Sequence, residues 1–187
     1  MALVVLPPIY LRIRRFDIDV PGQANRSDWT STRQYVGQPG APTWYGRCAF
    51  LPAAIERHKR LLRAFLLDLD GGLNWFRLPM APGQHAGPNP TVAGVIDENT
   101  IVLSSAAGLS AGMWATFTAG GRTRLVGLRA DPVGNTISFK PFLRSDPALG
   151  STVEIMNPYC EVVLSSARNG FDEEEGVATL ELDVEER

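Results

Sequence analysis

The chain has 187 residues, 44% of them apolar and 20% charged, with a formal net charge of −2. That is enough for one substantial domain or two small ones with a real hydrophobic core. No run approaches the ~20 apolar residues of a membrane span, and the opening MALVVLPPIYLRIRRF has its charges after the apolar run and no small-residue cleavage site, unlike a secretory signal.

Charge is unevenly divided along the chain. Residues 1–91 hold 11 Lys+Arg against 6 Asp+Glu, and residues 92–187 hold 7 against 14. The split fits two solvated surfaces, or the head-to-tail attraction of repeated copies. Cys48 and Cys160 are far apart in strand-like surroundings; buried free thiols are expected, with a disulfide left open by the sequence.

Leu3 to Val20 alternates as a strand, with Ile9, Leu11 and Ile13 in one phase and Phe16, Ile18 and Val20 in the other. The inversion at Arg14 and Arg15 predicts a bulge or bend. Pro21 to Pro42, with Gly22, Gly37, Pro39 and Gly40 among polar residues, reads as a long extended loop of the kind a partner orders. Trp29 and Tyr35 within it either fold back on the domain or serve as interface anchors. Thr43 to Phe50 alternates again and leads into the strongest helix signal.

That helix is expected from about Pro52 to Asp70. Pro52 suits a first turn, and Ile55, Leu62, Phe65, Leu66 and Leu69 share one face at 3.6 residues per turn. Glu56, Arg57, Arg60 and Arg63 occupy the other face. Gly71 and Gly72 supply a left-handed stop, and Leu73 to Leu78 follows as a strand ending at Pro79. A single amphipathic helix needs a sheet to cover its apolar face.

Pro79 to Pro90 is the clearest break in composition and reads as a linker or mobile loop, a possible sub-boundary (79–91) in one 187-residue domain. Beyond it, strands are expected at Thr100–Ser105, Met113–Ala119, Arg122–Ala130, Thr136–Leu143, Thr152–Met156, Cys160–Ser165 and Val177–Val184. Turn residues separate them, including the Gly120-Gly121 pair of a tight hairpin. Seven such strands mark a β-sandwich or small barrel. Asp172 to Glu175 reads as a solvated turn.

Catalytic chemistry needs convergent groups. The two histidines, His58 and His85, have no ligand-spaced neighbours, Asp68 and Asp70 flank a helix end, and Gly108 and Gly112 precede a strand where a phosphate cradle would precede a helix. No enzyme, cofactor or metal site is expected. Arg57, Lys59, Arg60 and Arg63 lack interleaved stacking aromatics, which argues against nucleic acid binding. The basic helix face is then a candidate contact with an acidic face of another subunit.

The order Gly108-x-x-x-Gly112, the Gly-Gly hairpin, the strand closing in Pro141 to Arg144, PYCEVVLSS and the acidic end LELDVEER resembles minor tail proteins of long-tailed bacteriophages. Trp44 to Gly46 and the helix, Gly turn and Leu73 to Leu78 strand are similar to the same group. The resemblance covers about two thirds of the chain. It implies a tail-tube type fold, a β-sandwich or split barrel with one flanking helix and an extended loop or hairpin reaching a neighbour. It implies a structural role in the virion, as copies in a hexameric ring at the distal tail between the tail tube protein and the tip or hub proteins. Trp29, Tyr35, Arg57, Arg60 and Arg63 are the expected interface residues. Unlike the larger members, it is expected to carry no appended carbohydrate-binding domain, which argues against a direct role in recognising host sugars. The competing expectation is a carbohydrate- or receptor-binding β module, in which Trp29, Trp44, Trp75 or Trp114 stack on sugar rings.

Overall fold

The computed structural model describes residues 1–19, 22–26, 33–37, 42–166 and 170–187, with backbone alone for 18–19, 22–26, 33–37 and 170. In chain order the elements are β1 (Leu11–Asp19), β2 (Gly22–Arg26), β3 (Arg33–Gly37), β4 (Thr43–Phe50), α1 (Glu56–Asp68), a 3-10 turn (Asp70–Gly72), β5 (Trp75–Pro79), β6 (Val92–Asp97), β7 (Thr100–Leu103), β8 (Trp114–Ala119), β9 (Arg122–Leu128), β10 (Thr136–Lys140), β11 (Tyr159–Leu164), β12 (Gly170–Glu174) and β13 (Val177–Glu186). The protein is mainly β, a sandwich or half-barrel of curled antiparallel sheets with one flanking helix, as the sequence predicts.

The first sheet runs β1-β4-β13-β11-β5, with β12 also on β13. Its alternation decides its faces: Ala178, Leu180, Leu182 and Val184 of β13 are buried, while Glu181 and Glu185 are exposed. On the buried face lie Leu62, Phe65 and Leu69 of α1, with the Phe65 ring edge-on to Phe50 at 5.5 Å and to Phe76 at 5.4 Å. The second sheet, β6-β7-β10-β9-β8, has its own core of Phe117, Val126, Ile137, Phe139 and Ile155.

Aromatic packing and polar side chains join the two sheets. Trp44 donates its indole N–H to the Leu125 carbonyl at 2.7 Å and stacks on Phe16 at 5.0 Å, with Trp114 edge-on at 5.2 Å. The Thr116 hydroxyl donates to Tyr159 O and accepts from Tyr159 N. Residues 79–91, expected as a linker or mobile loop, are instead fastened to this junction. Gln84 accepts from Trp114 N and donates to the carbonyls of Trp114 and Ile155, and Asn89 Oδ1 accepts from Ile155 N and Met156 N. Side-chain amides thus take over ladder bonds where strands are missing.

Several boundaries differ from expectation. The register shift between Ile13 and Arg15 is the predicted bulge, and Gly71 ends the helical run at φ 62°. The helix starts at Glu56, not near Pro52, because Ala53 exchanges two backbone hydrogen bonds with Ala178 and holds the preceding chain extended. Ile55 consequently caps the helix and is 61% exposed, off the predicted apolar face. The expected loop 21–42 contains the paired strands β2 and β3. Of Asp172 to Glu175, expected as a solvated turn, the first three belong to β12 and pair with β13, leaving Glu175 with Gly176 in the turn. Thr152 to Met156 makes isolated bridges through Thr152 and Glu154, not a strand, and β6 was not foreseen.

Candidate subunit interface

Helix α1 presents Arg57, Arg60, Leu61 and Ala64 around a shallow concavity of about 410 Å³, and Leu67, 78% exposed, continues the same stripe. Arg57 is exposed, and Arg60 lies 3.4 Å from Glu56 one turn earlier. Arg63 is engaged by its own chain: Nη2 reaches Glu173 at 2.5 Å and the guanidinium lies over the Phe171 ring at 5.4 Å. The helix therefore brings Arg57 and Arg60 together on an open face and turns Arg63 inward. Trp29 lies outside the described residues. Tyr35 falls in β3, of which the backbone alone is described.

Lys59, grouped by sequence with the basic face, is only 6% exposed and donates to Glu173 Oε1 at 2.7 Å. The signal was available, since Lys59 lies three residues before Leu62 and so on the apolar stripe. These hydrogen bonds, first from Lys59 and then from Arg63, hold the Glu173 carboxyl below its ordinary value.

Ion pairs also join residues from the two unequally charged halves. Arg47 reaches Asp183 at 2.7 Å and Arg77 reaches Glu161 at 3.6 Å, besides Lys59 and Arg63 on Glu173. Because β13 from the acidic half lies beside β4 from the basic half, the sequence imbalance is not a basic end and an acidic end in space. Part of the charge left over is local: Arg12 and Arg14 are exposed on β1, and Asp172 and Glu174 are exposed on β12, none of them ion-paired to a described residue.

Between the sheets Arg124 and Glu186 form an ion pair, their side chains 5% and 2% exposed. Arg124 also donates to the Pro42 and Phe142 carbonyls, and the Trp44 amide donates to Glu186. Burial pushes the Glu186 carboxyl up and the Arg124 guanidinium down. Glu186 Oε1 and Thr123 Oγ1 are buried with no partner among the described residues.

The thiols of Cys48 and Cys160 are free and buried, and burial pushes the Cys48 thiol up to about 12. Of the tryptophans considered as sugar platforms, Trp44 is buried, Trp75 is half-buried under the Arg187 guanidinium at 4.7 Å, and Trp114 is half-buried against Trp44. Among the described residues no three His, Cys, Asp or Glu side chains gather as metal ligands. No protein-family model matches the chain, and no curated protein does.

Proposed function

We propose that the protein is a structural subunit of a bacteriophage tail, one of several copies forming a ring at the distal end that joins the tail tube to the tip or host-binding proteins. The observation that carries this reading is the β2–β3 ribbon. It is nested between β1 and β4 in sequence, and among the described residues its two strands pair only with each other. A two-stranded hairpin is marginal in water on its own, so a ribbon set apart from both sheets suits a chain that completes its structure against a neighbour. The half-barrel with one flanking helix and the order of motifs in the sequence support the same reading. In this role the business is done by surfaces, namely the ribbon, Trp29 and Tyr35, and the Arg57–Arg60 face of α1. The copies meet one another, the tail tube protein and the tip or hub proteins in the virion.

Negative-stain electron microscopy and mass photometry across a concentration series test the proposal. Rings with a central hole are expected, and replacing residues 23–36 with a short Gly-Ser turn should leave a folded monomer that makes none. Uniform monomers of the intact chain at every concentration, alone and with its tail partners, would overturn it.

A further inference from the structure

Four long outer edges bound the two sheets, and three are occupied by the chain itself. Along β5, Trp75 bonds with Ala2 and Val4; along β6, Val92 bonds with Gly150 and Ser151; along β8, Thr116 bonds with Glu154 in both directions. β1, nine residues long, takes no backbone hydrogen bond from a described residue on the side away from β4. Among the described residues the shorter β12 is likewise bonded only to β13. Sheet order places these two open edges on opposite sides of β4 and β13. Unpaired edge groups are templates for another strand.

The register shows what each edge offers. Arg12 pairs with Ala49, Ala49 with Glu181, and Thr179, two residues before Glu181, with Asp172. Arg12, Asp172 and Glu174 therefore share the outer face. On the inner face Leu11, Phe50, Leu180 and Phe171 align, and Leu11, Ile13 and Phe171 are only half-buried. The first half of the β1 edge, at Arg12 and Arg14, is thus basic outside and apolar inside, with Arg15 and Asp17 beyond it paired to each other, and the β12 edge is acidic outside and apolar inside. Two β1 edges would oppose their arginines, which disfavours a two-fold contact.

We propose that β1 of one copy pairs with β12 of the next, so that the first sheets run continuously from subunit to subunit. Arg12 and Arg14 then face Asp172 and Glu174 of the neighbour, and the half-covered Leu11, Ile13 and Phe171 cover one another. Because the two edges are different surfaces on opposite sides of one sheet, the contact is heterologous, the kind that closes into a ring when the rotation between successive copies divides a full turn. The inference rests on the ring reading above and names the strands that make the ring.

Charge reversal tests it. Arg12→Glu with Arg14→Glu in one variant, and Asp172→Lys with Glu174→Lys in a second, should each raise the concentration needed for assembly by about tenfold or more. Both variants should remain folded by far-UV circular dichroism. Mixing them should restore assembly, since each then offers the other a complementary edge. Combining all four substitutions in one chain should restore it as well. Wild-type rings that both variants form equally well would overturn the strand pairing while leaving the ring reading intact. A wild type that never assembles would overturn both.

Discussion

Arg124 and Glu186 meet where the second sheet, the base of β4 and the end of β13 converge, and each charge is held there at a cost in desolvation. Removing one partner leaves the other uncompensated, so Glu186→Leu or Arg124→Met alone should lower unfolding stability by about 3–5 kcal/mol, while the double variant should come close to wild type or exceed it. Urea unfolding of the four proteins closes the cycle. The pH dependence has a defined sign. A carboxyl whose native pKa is raised favours the fold while protonated and loses that contribution as pH rises through the native value. With a stability comparison against Glu186→Gln, the difference should therefore move toward the variant as pH increases above the ordinary value of 4.5. Glu186 was legible in principle, because it continues the buried register of Leu180, Leu182 and Val184. Its partner was not, since only the pairing of distant strands brings Arg124 beside it.

At the scale of elements, α1 is tied to the β12–β13 hairpin through a buried lysine. Glu173, with its pKa lowered, stabilises the fold above its ordinary value of 4.5, and that contribution fades as pH falls through the lower native value. Lys59→Ala should lower Tm and speed amide exchange in residues 56–68 and 170–174, leaving β6 to β10 unchanged. Equal loosening of the second sheet would place the coupling elsewhere. The helix itself could be read from its periodicity. Its start could not, because the bonds that keep Ala53 extended come from Ala178, far along the chain. The same limit hid β12: a run of Asp and Glu has a solvated turn as its simplest reading, and it takes Lys59 and Arg63 on α1 together with the neighbouring strand to make it worth ordering.

Across the whole molecule, the β character, most strands of the second sheet and the bulge in β1 follow from alternation and turn residues, which are local. The fastening of residues 79–91 does not, because Gln84 and Asn89 act on backbone groups of β8 and residues 154–156. The surface proposed as an interface is legible only in part. Arg57 and Arg60 stand open as the helix pattern implies, whereas Arg63 is drawn inward by a strand that the pattern did not contain.

The position of β13 also sets an order of events during synthesis. Of the thirteen strands among the described residues it is made last, yet it lies between β4 and β11 and joins β1–β4 to β11–β5. The second sheet, drawn wholly from residues 92–140, has no such wait. A nascent chain stalled on a linker fused after Ser165, long enough to bring residues 1–165 clear of the exit tunnel, should show the second sheet, with Val153 and Ile155 in its core, resistant to pulse proteolysis and the first still open. Equal resistance in both would mean that the two halves can associate without their middle strand. Until β13 emerges, the apolar faces of β4 and β11 have no middle strand between them, so that interval is when this protein has most need of a chaperone.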